Sequence, residues 1–284
     1  MIALTQKDVL AHQVLVPWSE PYQVEQDLLL CLAMRAIFED QFLAGQVAMR
    51  GGTVLHKVHL APAARYSEDI DLVAVGDRPE GHIRKALLRV LRPVLGRERS
   101  SVWDSVQLAV RNAAKPSRIL RCIYKLPSIA EPGRELTIEV EANVTERTPH
   151  FPVQHLPFPM QFRGANLGTE IVSYNINEML ATKMRALFQR RKGRDLFDLY
   201  WALTVRSALP VSVPEMLQAF DHYMKAEGDL VPREKFIAHL RQCLADRAGF
   251  CTDLDSFLRR DLIYDPDVAG ALIERDILGL LPPR

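Results

Sequence analysis

The chain lacks the features of a membrane, secreted or disulfide-stabilised protein. None of its apolar runs is long enough to span a bilayer, although 48% of the 284 residues are hydrophobic. The first residues show no basic stretch followed by an apolar one, so no signal peptide is predicted. The four cysteines are scattered, which favours buried thiols over a disulfide framework. These absences predict a globular protein of the reducing cytoplasm, with no membrane partner.

Several catalytic motifs are also missing. Lys57 does not follow the Gly-x-x-x-x-Gly spacing of a P-loop, and the chain contains no Gly-x-Gly-x-x-Gly or Gly-x-Ser-x-Gly sequence. His56 and His59 have no cysteine or glutamate cluster beside them, and Cys243 and Cys251 are too far apart for a zinc knuckle. P-loop, dinucleotide-binding, serine-hydrolase and zinc chemistry are therefore not expected.

The overall charge gives no sign of a nucleic-acid partner, because the formal net charge is only +1. Basic residues nevertheless crowd two segments, 84–99 and 183–194. Such clusters can hold a triphosphate or an RNA backbone, or can be the solvated face of a helix.

The most informative motif is a small-residue turn, Gly51 to Thr53, followed by Asp69 and Asp71 at the start of an apolar run. Side chains alternate faces along a strand, so both aspartates should point the same way. Paired carboxylates repel each other unless a cation lies between them. Together with glycine backbone amides they suit Mg²⁺ (or Mn²⁺) and a polyphosphate, although an isolated Asp-x-Asp also marks solvated strand ends.

A second motif lies in residues 177–199. Lys183 falls at the border of the helical apolar stripe formed by Leu180 and Leu187, where it either turns out to solvent or binds phosphate as a point charge. Asp195 borders the stripe of the next helix and could simply cap it. Arg194 could pair with phosphate or with solvent.

Residues 136–142 alternate apolar and polar side chains, so Glu139 and Glu141 should share the polar face of a strand. That face could be merely exposed, or it could carry a further acidic group beside the two aspartates.

The two motifs together resemble the AbiEii/AbiGii and MenT-like nucleotidyltransferase toxins of the polymerase-β-like superfamily, over roughly residues 20–205. The resemblance implies that Asp69 and Asp71 hold the metal and that Ser67 lies beside the nucleotide phosphates. It implies a third carboxylate on a neighbouring strand, for which Glu139 is the first choice and Glu141 the alternative. It also implies that Lys183 and Asp195 lie in the active-site cleft.

These expectations give a full set of site residues. The residues expected to be catalytic are Asp69, Asp71, Glu139, Lys183 and Asp195, with Asp69 and Asp71 as metal ligands, and those expected to bind the nucleotide are Gly51, Gly52, Thr53, Lys57, Ser67 and Arg194.

The order of predicted elements indicates an α+β fold with a helix-flanked mixed sheet, as in the nucleotidyltransferase core. Strands are predicted at 47–50, 69–75, 102–110, 119–124 and 136–142. A proline-rich passage near residue 150 suggests a boundary between a core at 1–150 and a helical part at 151–284 that contributes Lys183 and Asp195. In the helical part, helices are predicted from Asn175 onward, including one at 254–280.

By resemblance, the function is transfer of NMP from an NTP to RNA, with the 3′ end of tRNA as the expected acceptor. Translation would then be blocked, and a cognate antitoxin would be encoded alongside. The alternatives are a nucleotidyltransferase that modifies a small molecule such as an antibiotic, and a non-catalytic protein that binds nucleotide or RNA.

Overall fold

The computed structural model describes residues 2–106, 117–205, 209–228 and 231–283, which form two compact units. The first unit ends at Tyr174 and the second begins at Asn175. The predicted strand at 102–110 is therefore only partly covered, since 107–110 lie outside the described residues. No helix in the described part of the chain combines the length and apolarity needed to cross a membrane.

The described residues of the first unit form several helices. They are α1 (Gln6–Gln13), α2 (Pro21–Phe38), α3 (Gln41–Ala44), α4 (Gly51–Val54), which continues as a π-helical turn (Leu55–His59), and α5 (Glu80–Leu95). Thr5 and Asp8 form a capping box that starts α1. Helix α2 is buried on nearly every side, because apolar residues occur around most of its circumference.

The first unit also contains a seven-stranded mixed sheet and a small hairpin. The strands are β1 (Val47–Arg50), β2 (Ile70–Ala74), β3 (Ser100–Val106), β4 (Ser117–Pro127), β5 (Glu135–Asn143), β6 (Gln154–Phe158), β7 (Gln161–Phe162), β8 (Ala165–Asn166) and β9 (Thr169–Ser173). The sheet order is β3-β4-β5-β2-β1-β9-β6, and β7 pairs with β8. Strand β2 runs parallel to β5 and antiparallel to β1. The predicted α+β class with a mixed sheet is confirmed.

The prediction that residues 151–174 belong to a helical part is wrong. Strand β9 pairs in parallel with β1, and β6 pairs antiparallel with β9 at the edge of the sheet. Pro157 lies in this edge strand, where a residue without an N–H donor is tolerated. The proline-rich passage that suggests a boundary near residue 150 therefore leads into an edge strand of the first unit.

The second unit is helical in its described residues. Its helices are α6 (Ile176–Gln189), α7 (Gly193–Thr204), α8 (Val213–Ala226), α9 (Arg233–Ala245) and α10 (Pro266–Asp276), followed by a 3₁₀ turn (Leu278–Leu280). Asn175 caps α6 by accepting a hydrogen bond from the Asn177 backbone.

The helix predicted at 254–280 begins later in the structure than the sequence indicates. Residues 254–257 form turns, and the helix begins only at Pro266, after the capping residue Asp265. Proline disfavours helical geometry in the residue before it and is well placed in the first helical turn. The Asp-Pro pair therefore marks the true start of α10.

Candidate active site

Strand β2 brings the predicted carboxylates to one face of the sheet. Asp71 is paired in register with Arg50 of β1 on one side and with Glu141 of β5 on the other. Asp69 precedes β2 by one residue, and the charge of Asp71 acts on its carboxyl group. This proximity agrees with the shared orientation that the sequence predicts for the two aspartates.

This crowding of carboxylates makes Asp69 unusually difficult to ionise. The surrounding protein removes part of its hydration, and the negative charges of Asp71, Glu68 and Glu139 add to the effect, so the pKa of Asp69 is raised to about 7. Its side chain still reaches solvent at the mouth of the cluster, where a cation from solution can approach. A divalent cation would relieve the repulsion between these carboxylates, which contributes to the raised pKa.

The Gly51 backbone lies directly against Asp71. Gly51 has a φ of +85°, and a Cβ atom there would come within 1.9 Å of Asp71 Oδ2. Glycine is required for both reasons, since other residues rarely adopt this φ and no side chain fits in the space. The turn and the Asp71 carboxylate are thereby held in contact.

The next glycine of the turn lies over a buried arginine. A Cβ atom on Gly52 would come within 2.5 Å of Arg65 Nη2 and 3.2 Å of Ser67 Oγ. Arg65 is only 2% exposed, and its Nη1 donates to the Tyr66 carbonyl at 2.9 Å. A fixed positive charge therefore lies beneath the turn and close to Ser67.

Thr53 connects this turn to the segment that leads into β2. Its hydroxyl, which is fully buried, donates to the Asp69 carbonyl and shares a 2.8 Å hydrogen bond with the Ser67 hydroxyl. Since Thr53 has a single hydroxyl proton, the proton between the two hydroxyls belongs to Ser67. Thr53 thus positions Asp69 and Ser67, and Ser67 would have to rotate to donate to a phosphate.

The two glutamates of β5 differ in how Arg121 of β4 binds them. The strand buries Leu136, Ile138 and Val140 and leaves both glutamates half-buried on the opposite face, as its alternation predicts. Arg121 Nε lies 2.5 Å from Glu141 and 3.6 Å from Glu139. Loss of hydration raises the pKa of Glu141, with Arg121 opposing the shift. Glu139 is the glutamate less engaged by Arg121.

In the second unit, Lys183 is buried between two aspartates. Its ammonium nitrogen lies 3.3 Å from Asp195 and 2.8 Å from Asp198, and both aspartates are fully buried. Arg190 donates two hydrogen bonds to Asp195, at 2.8 and 2.9 Å. The cluster pairs two cations with two carboxylates, which meets the requirement that buried charges be compensated.

Arg194, also in the second unit, has an acidic partner as well. Its backbone N–H donates to Asp253 at 3.1 Å, its Nε lies 3.4 Å from the same carboxylate, and its guanidinium lies over the Phe257 ring. The positive charge of Arg194 is therefore balanced by a carboxylate of its own unit.

Residues 32–271 match a protein family described as the nucleotidyl transferase AbiEii toxin of type IV toxin–antitoxin systems. The chain belongs to the AbiEii family of nucleotidyltransferase toxins. In fold it is similar to the nucleotidyltransferase toxin MenT4 from Mycobacterium tuberculosis, at a TM-score of 0.60 and 15% identity, over 99% of this chain and 91% of that one. A search of curated protein sequences finds no match.

One acidic residue of this AbiEii protein, Asp198, is not among the predicted site residues but contacts one of them. The helical wheel of α7 sets Asp198 further from the apolar stripe than Asp195, yet Asp198 makes the shorter contact with Lys183. The two aspartates are three residues apart, which puts them on adjacent turns of one helix face. This spacing could have indicated that both contact the same cation.

Lys57 lies in a buried network formed by α1, α2 and the π-helical turn. Its ammonium contacts Asp27, which also accepts hydrogen bonds from His12 and Trp18, each at 2.8 Å. Burial alone would raise the pKa of Asp27, but Lys57 and His12 hold it below its usual range. The structure thus pairs Lys57 with Asp27, and its role in nucleotide binding stays a prediction.

The same network contains three potential metal ligands, His12, Asp27 and Cys31. Burial raises the pKa of the Cys31 thiol to about 12, and the thiol donates to Asp27. Because Asp27 already accepts from three nitrogen donors, its oxygens have little capacity left for a metal. The Lys57 ammonium supplies the positive charge that a metal would bring.

Sequence reasoning missed three residues around the carboxylate face of the AbiEii protein. Arg65 lies beneath the glycine turn, Arg121 bridges the β5 glutamates, and Gln26 of α2 donates to the carbonyls of Thr137 and Glu68. Gln26 thereby ties the segment that carries Asp69 to β5. Only Arg65 carried a local signal, its position immediately before the Asp69 motif; the other two depend on pairing across the fold.

Proposed function

We propose that this protein transfers NMP from an NTP to the 3′ hydroxyl of an RNA, with tRNA as the acceptor, and so blocks translation. The observation that carries the proposal is the Asp69–Asp71 pair at the start of β2, with Asp71 directly against the Gly51 turn. This combination of paired carboxylates and closely approaching glycine backbone suits a metal-bound triphosphate.

The donor set fits Mg²⁺ or Mn²⁺. Asp69 and Asp71 offer carboxylate oxygens. Loss of hydration and neighbouring carboxylates raise the pKa of Asp69, and a cation would balance the charge of those carboxylates. Bound there, the metal would neutralise phosphate charge and polarise the reacting phosphoryl group.

The residues of the chain would perform the remaining tasks. The backbone of Gly51 and Gly52 faces the phosphates, Arg65 supplies positive charge beneath them, and Ser67 donates a hydrogen bond after rotation. The RNA 3′ oxygen attacks the α-phosphorus of the NTP. The bond between the α-phosphorus and the oxygen that bridges to the β-phosphate breaks, and pyrophosphate leaves. Glu139 accepts the hydroxyl proton, because Arg121 engages it less closely than Glu141.

The acceptor and partners rest on family membership. A toxin of a type IV toxin–antitoxin system implies an antitoxin encoded alongside. Because tRNA and NTP are cytoplasmic, the proposal places the activity in the cytoplasm. Lys183, Asp195 and Arg194 stay predicted contributors to catalysis and nucleotide binding.

Labelling tests this proposal directly. The purified chain is incubated with each α-labelled NTP, Mg²⁺ and total RNA, with Asp71→Asn as the inactive control. We expect label in the tRNA band that depends on Mg²⁺ and is lost in the variant. Absence of labelled RNA with every NTP would contradict the proposal.

One observation favours a second candidate, transfer of NMP to a cationic small molecule. The cleft beside Asp69 is lined by more carboxylates than cations, as a polyamine-like substrate would require. Adding aminoglycosides to the labelling reaction separates the candidates. Label in the antibiotic and in no RNA favours this second function.

A further inference from the structure

An open cleft of about 450 Å³ lies beside Asp69 in the first unit. Its lining includes Tyr22, Gln26, Asp69, Arg134, Thr137 and Glu139. It therefore contains one proposed metal ligand and the proposed proton acceptor, together with groups for which the proposed function has no role.

The position of the cleft fits the acceptor rather than the triphosphate. The Gly51 turn contacts Asp71 from the end of β1, whereas Glu139 and the cleft lie toward β5. Phosphoryl transfer places the attacking and leaving oxygens roughly in line. With the leaving pyrophosphate at the glycine turn, the attacking hydroxyl has to approach from the β5 side.

The cleft also holds a stacking platform. The Arg134 guanidinium carbon lies 3.5 Å from the centroid of the Tyr22 ring, and Glu131 holds this guanidinium through a 2.7 Å ion pair. Arg134 remains exposed, so a nucleobase can stack on the guanidinium face that is turned away from Tyr22. Stacking on arginine planes and aromatic rings is a common way of holding an unpaired RNA base.

The charge of the lining restricts which end of an RNA fits. Glu68, Asp69, Glu135 and Glu139 line the cleft with Arg134 as the one cation among its described lining residues. A terminal phosphate would meet repulsion there, whereas a neutral terminal nucleoside would not. The cleft is suited to an RNA end with a free 3′ hydroxyl.

We propose that this cleft binds the 3′-terminal nucleoside of the acceptor RNA, with its base on Arg134 above Tyr22 and its 3′ hydroxyl toward Glu139. The inference rests on the proposed function and adds the residues that select the acceptor. Tyr22 and Arg134 are substrate-positioning residues in it, and RNA ending in a 3′ phosphate is excluded.

The test compares Tyr22→Ala, Arg134→Ala and Tyr22→Phe with Phe162→Ala. Phe162 is a matched control, because it lies beneath Arg163 in a similar arrangement elsewhere in the first unit. We expect the two alanine variants at the platform to raise the KM for RNA about 5- to 150-fold, while the Kd for NTP and Mg²⁺ stays unchanged. Tyr22→Phe, which keeps the ring, should recover most of the RNA affinity that Tyr22→Ala loses, and Phe162→Ala should behave as the wild type.

Two further measurements do not depend on turnover. RNA ending in 4-thiouridine should crosslink to a peptide from 131–139 or to Tyr22, and RNA with a 3′ phosphate should compete at least about tenfold less well than RNA with a 3′ hydroxyl. The inference is overturned, and the proposed function is not, by any of three results. These are crosslinks to other parts of the chain, equal competition by the two RNAs, and an unchanged KM for RNA in the Tyr22→Ala and Arg134→Ala variants. A wild-type chain that labels no RNA overturns the proposed function as well.

Discussion

At the scale of single residues, ionisation of Asp69 is less favourable in the folded protein than in the unfolded chain. Its pKa is 3.8 in the unfolded chain and about 7 in the fold, because partial loss of hydration and neighbouring carboxylates disfavour ionisation. Between these values the folded state binds more protons than the unfolded state. Stability therefore falls as pH rises from about 4 to about 7 in the absence of metal.

We predict that Asp69→Asn raises the melting temperature of the metal-free protein, and does so more at pH 8 than at pH 4. The amide removes the ionisation that opposes folding at high pH, whereas at low pH the native carboxyl is already neutral. Thermal unfolding in EDTA across this range measures the difference. Adding Mg²⁺ at pH 8 should stabilise the wild type and not the variant; an equal shift in both would contradict Asp69 as a ligand.

Gly51 gives a second prediction at this scale. Gly51→Ala should lower the transfer rate about a hundredfold or more, because the new methyl group displaces the Asp71 carboxylate and misplaced catalytic groups carry penalties of this size. Single-turnover rates with saturating NTP measure the effect.

Gly164→Ala is the control for Gly51→Ala. Gly164 also has a positive φ, +77°, but nothing lies within 4 Å of its Cβ position. Both variants bear a similar backbone strain, of about 1 kcal/mol or more, and only the first should lose activity. Equal activity in the two would show that the contact with Asp71 is unimportant.

At the scale of elements, the π-helical turn after α4 directs Lys57 toward α2. The ammonium contacts Asp27 with little solvent exposure, so removing it leaves a buried carboxylate without its cation. We predict that Lys57→Met lowers the free energy of unfolding by about 3–5 kcal/mol, as is typical when one partner of a buried pair is lost. Urea unfolding monitored by circular dichroism measures this change.

The double variant Lys57→Met with Asp27→Asn separates stability from nucleotide binding. It removes both charges and should recover much of the lost stability. If Lys57 acts only through Asp27, the double variant binds NTP as tightly as the wild type. A weakened NTP affinity in a stable double variant would support the predicted role of Lys57 in nucleotide binding.

The sequence predicted elements wherever local periodicity decided the outcome. Alternation in β5 identified the face that carries Glu139, and Asn175 marked the start of α6. The strands within 151–174 were missed because β6 and β9 are short and are stabilised by pairing with each other and with β1. Arg121 and Gln26 could not be recognised, since their contacts join positions distant in the chain.

At the scale of the whole molecule, family membership identifies the chain as a nucleotidyltransferase toxin, and local geometry indicates which residues could form its site. The AbiEii match extends over both compact units, from residue 32 to 271. The first unit holds the carboxylate face and the glycine turn. The second holds Lys183 in a buried cluster whose charges are mutually compensated, so its predicted part in nucleotide binding needs a test that separates binding from folding.

Lys183→Met and Arg185→Met provide that test within one helix. Both residues are buried cations of α6, and Arg185 pairs with Glu227 at 3.1 Å as Lys183 pairs with its two aspartates. Each variant should lower the melting temperature, because it leaves a buried carboxylate short of a cation.

If Lys183 binds triphosphate, its variant should also lose at least about tenfold in NTP affinity, since a charge-assisted contact is typically worth more than about 1.4 kcal/mol. Arg185→Met should keep wild-type affinity. Titration with an NTP and Mg²⁺ well below both melting temperatures keeps the comparison on folded protein. Equal affinities would assign Lys183 to the stability of the second unit and leave nucleotide binding to the carboxylate face and glycine turn of the first.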